Sequence, residues 1–144
     1  MNGADVVIEH SVDADVTPEF AWQFWTNVQN WDDPPARFAL EGRFADGARG
    51  TTTLPNQQPL HWIVRAVEQG RSATIELALD RAVVAFEWRF DPHGDRRSRL
   101  TQRILLSGEN APAYVDQLHA AFGSNLAAGM ARLSALMSAA CGRG

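Results

Sequence analysis

The chain has few of the residues on which several common chemistries depend. Only one of its 144 residues is a cysteine, Cys141, which excludes an internal disulfide and makes a catalytic thiol unexpected. Lysine is absent, since the basic residues are all arginine, a composition typical of a high-GC bacterial genome. The net charge of −4 argues against binding to nucleic acid through bulk electrostatics.

Long apolar runs and targeting signals are also lacking. The first ten residues, MNGADVVIEH, have neither the basic start nor the apolar stretch of a secretory signal. No apolar run approaches the roughly 18 residues of a membrane span. We therefore expect a cytoplasmic protein with a single domain over residues 1–144, a length sufficient to bury a core.

Motifs for catalysis and metal binding are missing as well. The four histidines show no HExxH spacing and no cysteine partner, so we predict no metal site and no cofactor. A GxSxG nucleophile motif is absent. The glycines of FADGARGTT are followed by neither a helix nor a Lys-Ser/Thr pair, which favours a hairpin turn over a phosphate-binding loop.

What the sequence does contain begins with a clear helix start. Thr17 is a good N-cap, Pro18 suits the first helical position, and the helix must end before Pro34-Pro35. At about 100° per residue, one face of this helix is apolar: Ala21, Phe24, Trp25 and Val28, flanked by Phe20 and Trp22. We expect Trp25 and Trp31 to serve the core, because buried aromatic residues usually pack. Trp22 suits packing and ligand contact equally.

From residue 36 the apolar period changes from 3.6 to two, which is typical of strands. Together with a first strand near the N-terminus, the predicted strands are 5–11, 37–44, 50–54, 60–68, 72–79, 82–91 and 99–106. The connections among the last six are too short for crossovers, so these strands should form an antiparallel meander. One face is apolar and the other charged, which predicts a sheet covered on one side only.

The predicted cover is a single helix over residues 112–140. Its apolar face contains Val115, Leu118, Phe122, Leu126, Gly129, Leu133, Leu136 and Ala140. Such a helix is roughly 40 Å long, whereas a strand of nine residues spans about 30 Å. One long helix should therefore cross a large, curved sheet.

Four stretches carry a family resemblance over about residues 4–140: TPEFAWQFWTNVQNWDDPP, GRFADGARGTTTLP, HWIVRAVEQGR and SRLTQRILLSG. With the order of elements, they resemble the START-related ligand-binding superfamily (SRPBCC), in particular its polyketide cyclase/dehydrase-like branch. The resemblance implies an α+β helix-grip fold. In it, a curved antiparallel sheet of about seven strands wraps around a long C-terminal helix, and one or two short helices follow the first strand. It further implies a cavity between sheet and helix for an apolar or amphipathic ligand.

Several residues are candidates for lining that cavity. Phe86, Trp88 and Phe90 form a row facing a helix with small residues, so either the helix closes the gap or an apolar pocket remains. The resemblance favours the pocket. Gln102, on an apolar row, is equally compatible with a satisfied core glutamine and with a hydrogen-bonding handle. Trp62 and His61 lie on opposite faces of their strand, and the sequence pattern does not decide which of the two points inward.

We predict a carrier for a small hydrophobic or amphipathic molecule, as a monomer or a homodimer, without nucleic acid. The predicted ligand-binding residues are Trp22, Trp62, Val84, Phe86, Trp88, Gln102, Ile104, Tyr114, His119, Phe122, Asn125, Leu126 and Gly129. Partial exposure at a helix edge is the more typical role for His119 and Asn125. The alternative function is a cofactor-free cyclase or dehydratase, for which His119, Tyr114 and His61 are the evident acid–base candidates. An interaction module would require a large exposed apolar patch, which the outward rows do not show.

Overall fold

The computed structural model describes residues 5–31 and 36–143. The elements in chain order are β1 (Asp5–Ala14), α1 (Pro18–Thr26), a 3-10 turn (Val28–Asn30), β2 (Arg37–Leu40), β3 (Arg49–Thr53), β4 (Leu60–Glu68), β5 (Ser72–Leu79), β6 (Ala82–Pro92), β7 (Ser98–Ser107), a second 3-10 turn (Ala111–Tyr114), α2 (Val115–Phe122) and α3 (Asn125–Arg143). The predicted stop at Pro34-Pro35 lies outside the described residues. The first helix itself ends earlier, at Thr26.

All seven strands belong to one antiparallel sheet with the order β1-β7-β6-β5-β4-β3-β2. The strands from β2 to β7 follow one another as a meander, and β1 pairs with β7 to complete the sheet. These features confirm the predicted helix-grip fold. Strand β2 ends at Leu40, four residues earlier than predicted, because Gly42, two residues further on, takes a positive φ of 75°.

The two faces of the sheet differ sharply in chemistry, as the alternating pattern predicts. On the outer face, ion pairs join neighbouring strands: Arg65 with Glu76, Arg103 with Glu87, and Arg99 with Asp13. The inner face is apolar and contains the largest buried strand side chains, among them Phe90, Leu100 and Ile104. The core therefore lies on one side of the sheet, against the helices.

Asp13 connects three elements at the end of β1. Its carboxylate accepts a hydrogen bond from Arg99 of β7 at 3.0 Å and lies 3.5 Å from the ring of His93. Its backbone carbonyl accepts a hydrogen bond from Ser134 of α3 at 2.8 Å. The hydrogen bond from Arg99 holds the pKa of the Asp13 carboxyl below its ordinary value, assisted by the nearby charges of His93 and Arg97.

This lowered pKa gives stability a defined dependence on pH. The contribution of Asp13 should be complete above the ordinary carboxyl pKa of about 3.9 and should disappear as the pH falls through the lower folded value. Melting temperatures of the wild type and of Asp13→Asn, measured between pH 2 and 6, should converge at the acidic end. A gap between the two proteins that stays constant over this range would contradict the assignment.

The C-terminal helix is broken, whereas the apolar period predicts one helix from 112 to 140. A 3-10 turn replaces its first residues, and Gly123-Ser124 separates α2 from α3. Glycine and serine are both poor helix formers, and such a pair is a common site of a kink. After the break, the buried residues of α3 are Leu126, Met130 and Met137. The buried face of this helix is therefore rotated relative to the predicted apolar face, and Gly129 lies outside it.

Helix α3 lies over one side of the sheet. Its closest backbone neighbours among the strands and other helices are β1 and α1 rather than the central strands. In the part of the chain that the structure describes, no helix is both long enough and apolar enough to cross a membrane.

Candidate ligand-binding site

Helix α1 places two tryptophans against the sheet. The Thr17 hydroxyl caps the helix by accepting a hydrogen bond from the Phe20 amide at 3.2 Å. Trp22 and Trp25 are only 4% and 3% exposed, whereas Phe24 is half-buried. The predicted apolar face, which included Phe24 and left Trp22 on its flank, is therefore rotated. Trp22 is drawn inward because it packs edge-on against Phe44 and Phe90, which follow much later in the chain.

Trp25 is the centre of an aromatic cluster. Its ring lies between 5.1 and 6.0 Å, centroid to centroid, from five others: Trp22, Trp31, Phe44, Trp88 and Phe90. Trp31 extends the cluster to Trp62 at 5.3 Å. All five tryptophans of the chain are therefore connected, and this tryptophan cluster fills the α1 end of the interior.

Hydrogen bonds fix the outer members of the tryptophan cluster. The indole nitrogen of Trp31 donates to the Trp25 carbonyl at 2.6 Å, and that of Trp62 donates to the Thr52 hydroxyl at 3.0 Å. Trp62 points inward and is buried, while His61 is exposed on the outer face. Gly50 of β3 lies directly against the Trp62 ring, where a Cβ atom would overlap it.

The inner face of the central strands stays partly accessible at the edge of the tryptophan cluster, from Trp88 to Phe86. Phe86 and Trp88 are only half-buried although they face the helix side of the sheet, because α3 lies over β1 instead of over β5 and β6. Phe122 of α2 reaches Phe86 with a ring separation of 5.6 Å. We call this region the inner trough, lined by Leu77, Phe86, Trp88, Gln102 and Phe122, while Val84 and Ile104 are fully buried in the core beside it. Its largely apolar and aromatic lining suits an apolar or aromatic molecule.

Gln102 is the one polar residue among the lining of the inner trough. It is 7% exposed, and its carboxamide makes no hydrogen bond with any residue that the structure describes. Its polar atoms are not fully cut off from solvent, since no buried polar atom of the described residues is left without a partner. A polar group in this position orients ligands in many apolar pockets.

His10, which is not among the residues predicted to line the cavity, is a neighbour of Gln102. The register pairs Gln102 with His10 on one side and with Trp88 on the other, so the three share one row of the inner face. The alternation of β1 contains this signal, because Ile8 and Val12 pack on the core two residues before and after His10. The ring of His10 is half-buried.

The remaining predicted residues are divided between the interior and the surface. Leu126 is buried and Tyr114 is half-buried, whereas His119, Asn125 and Gly129 are exposed. The Asn125 amide donates back to the Ala121 carbonyl at 3.0 Å, bridging the helix break. The structure therefore brings the strand candidates together and leaves these three helix candidates outside. Within the described residues, no group of three metal-binding side chains is present.

A separate, solvent-open cleft of about 450 Å³ lies outside the sheet, between α1 and the β2–β3 connection. Its lining is largely polar, with amides such as Gln23 and Gln69 beside the edge of Trp22. It does not include the apolar residues of the inner trough.

The comparison with protein families gives this geometry a context. The profile of the family described as "Polyketide cyclase / dehydrase and lipid transport" matches residues 5–138, nearly the whole chain. The chain belongs to this family. The resemblance seen in the sequence is therefore confirmed. No protein of the curated set is significantly similar to this family member.

Solved structures show that the fold of this polyketide cyclase/dehydrase family member is widespread. Truncated norcoclaurine synthase from Thalictrum flavum superposes with a TM-score of 0.70 at 13% identity, over 92% of each chain. Protein Ms6760 from Mycobacterium smegmatis gives 0.62 at 14% identity, over 99% of this chain and 97% of that chain. A protein from Arthrobacter aurescens gives 0.63 at 17% identity, over 94% of this chain and 91% of that one. At these identities the similarity concerns the fold alone.

Proposed function

We propose that the inner trough binds a small apolar or aromatic molecule and that the protein acts as its binding or carrier protein. The observation that carries this proposal is the half-buried state of Phe86 and Trp88 on the inner face of β6. A fully packed core would bury these side chains completely, since protein interiors leave few voids. The unpartnered Gln102 supports the same function, because ligand pockets combine an apolar lining with a few polar groups.

The fold comparison supports the proposal in a general way. Norcoclaurine synthase, which shares this fold with a TM-score of 0.68, has been solved in complex with dopamine and hydroxybenzaldehyde. The fold therefore accommodates aromatic small molecules in at least one protein. A cytoplasmic location and a monomeric or homodimeric state remain predictions for this chain.

One observation favours the second candidate, a cofactor-free cyclase or dehydratase. His10 places an acid–base group on the inner face, which such an enzyme requires within reach of its substrate. The exposed His119 is a weaker candidate for that role. Turnover of a bound substrate that is lost in His10→Gln, with binding retained, would favour the enzyme over the carrier.

A neutral apolar fluorophore tests the binding proposal directly. N-phenyl-1-naphthylamine should bind saturably, and at about ten times its Kd it should stabilise the native state by about 1.4 kcal/mol through mass action. Fluorescence titration and thermal melting measure the two effects. The variant Leu77→Trp should block binding by filling the inner trough.

Val83→Trp is the matched control, because Val83 is equally half-buried but lies on the outer face of the neighbouring strand. It should bind the fluorophore as the wild type does. An absence of saturable binding to the wild type, or equal binding by Leu77→Trp, would contradict the proposal.

A further inference from the structure

His10, Gln102 and Trp88 form one transverse row of the inner face, across β1, β7 and β6. Directly opposite residues on antiparallel strands have Cβ atoms about 4.5–5.5 Å apart, so the two polar side chains can reach the same small group. Neither makes a hydrogen bond with any described residue. The imidazole of His10 and the carboxamide of Gln102 are therefore adjacent, and both can still form hydrogen bonds with a ligand.

The neighbouring rows make this pair stand out chemically. The row on one side contains Val12, Leu100 and Phe90, and the row on the other contains Ile8, Ile104 and Phe86. All six side chains belong to or pack against the hydrophobic core. An aliphatic residue would pack better than an amide in such surroundings, as the flanking rows show. The pair is therefore better explained by a group that it binds than by the core.

The charge distribution indicates the kind of group. From Ile8 onward, the inner face of the strands has no aspartate or glutamate. The aspartates and glutamates of this region lie on the outer face of the sheet or in the turns between strands. Asp116 and His119 of α2 and Arg132 of α3, the helices beside β1, are exposed. His10 is thus the titratable side chain on the inner face of the described strands. Nothing there repels an anion, and an imidazole and a carboxamide both donate hydrogen bonds.

We propose that His10 and Gln102 bind the carboxylate of an amphipathic acid, with its apolar or aromatic body in the inner trough beside Trp88 and Phe86. The ring N–H of His10 and the carboxamide N–H of Gln102 each donate to one carboxylate oxygen. Hydrogen bonds to a charged acceptor are about twice as strong as neutral ones, which makes the pair selective for the ionised acid. This inference rests on the proposed function, because it names the ligand class of the same site.

Three ligands with one aromatic body test this selectivity: 2-naphthoate, 2-naphthamide and 2-methylnaphthalene. By calorimetry, the wild type should bind 2-naphthoate about tenfold or more tightly than 2-naphthamide. His10→Leu and Gln102→Met should each weaken 2-naphthoate by about tenfold or more while leaving 2-methylnaphthalene unchanged. Gln102→Met keeps the length of the side chain, and the intact fold of each variant is checked by circular dichroism. His10→Gln, which retains a neutral hydrogen bond, should lose less affinity for 2-naphthoate than His10→Leu.

His61→Leu is the matched control, because it removes an imidazole from the outer face, and it should bind all three ligands as the wild type does. Equal affinity of the wild type for 2-naphthoate and 2-naphthamide, or unchanged 2-naphthoate binding in folded His10→Leu and Gln102→Met, would overturn the inference. Binding of 2-methylnaphthalene alone would leave the carrier function standing without the acid selectivity. If none of the three ligands binds, the carrier function itself is wrong.

Discussion

Replacing Trp25 by alanine should lower the free energy of unfolding by about 3–5 kcal/mol, as for other large buried aromatic residues. The reason is its central position: five aromatic rings surround it, and it is 3% exposed. The cavity would also remove the ring contact that supports Trp31, whose centroid lies 6.0 Å from that of Trp25. Urea denaturation followed by circular dichroism at 222 nm measures the loss.

Phe24→Ala is the control on the same helix. Phe24 is half-buried, and its ring stacks on that of Phe20 at 6.4 Å, so the loss should be clearly smaller. A loss equal to that of Trp25→Ala would show that helix α1 docks through a different face. Trp22→Ala should resemble Trp25→Ala in magnitude, because Trp22 is 4% exposed and contacts three rings.

Gly50→Val is expected to cost about 3 kcal/mol, the upper part of the usual range for overpacking. A Cβ atom at Gly50 would overlap the six-membered ring of Trp62. The ring has little freedom to move, because Trp31 packs against it and Thr52 accepts its N–H hydrogen bond. Denaturant unfolding of the single variant measures the cost.

Two further variants separate overlap from a general effect of losing a glycine. Gly129→Ala, in an exposed turn of α3 where an added Cβ atom meets no neighbour within 4 Å, should be neutral or stabilise by up to about 1 kcal/mol. In the double variant Gly50→Val/Trp62→Ala, the second change should cost much less than Trp62→Ala does in the wild-type background. Strict additivity of the two changes would rule out the overlap as the cause.

The strands and their pairing were predictable from the sequence because each follows from local rules. The two-residue period of Ser72–Leu79 and of the next strand identifies inner and outer faces, and the short connections leave only antiparallel neighbours. The start of helix α1 at Thr17 and Pro18 was readable for the same reason, since capping depends on residues within one turn.

The parts that the sequence did not reveal depend on distant contacts. Trp22 is buried and Phe24 is not, because the partners of Trp22 come from the β2–β3 connection and from β6. Because Gly123-Ser124 interrupts the helix, the buried face of α3 includes Met130 and Met137. A helical period continued without a break from residue 112 does not predict this face. His10 was readable in principle from its neighbours Ile8 and Val12, but its importance arises from Gln102, more than ninety residues later.

The connection of all five tryptophans in one cluster has an optical consequence. Rings 5–6 Å apart exchange excitation energy efficiently, so the emission of the native protein should come from the cluster as a unit and not from five separate reporters. Helices α2 and α3 contain no tryptophan. Tryptophan emission thus reports on the cluster around α1, while helical circular dichroism is dominated by the longer C-terminal helices. If the C-terminal helices open separately from the sheet, the two signals will give different midpoints, and a single transition by both will show that the domain unfolds cooperatively.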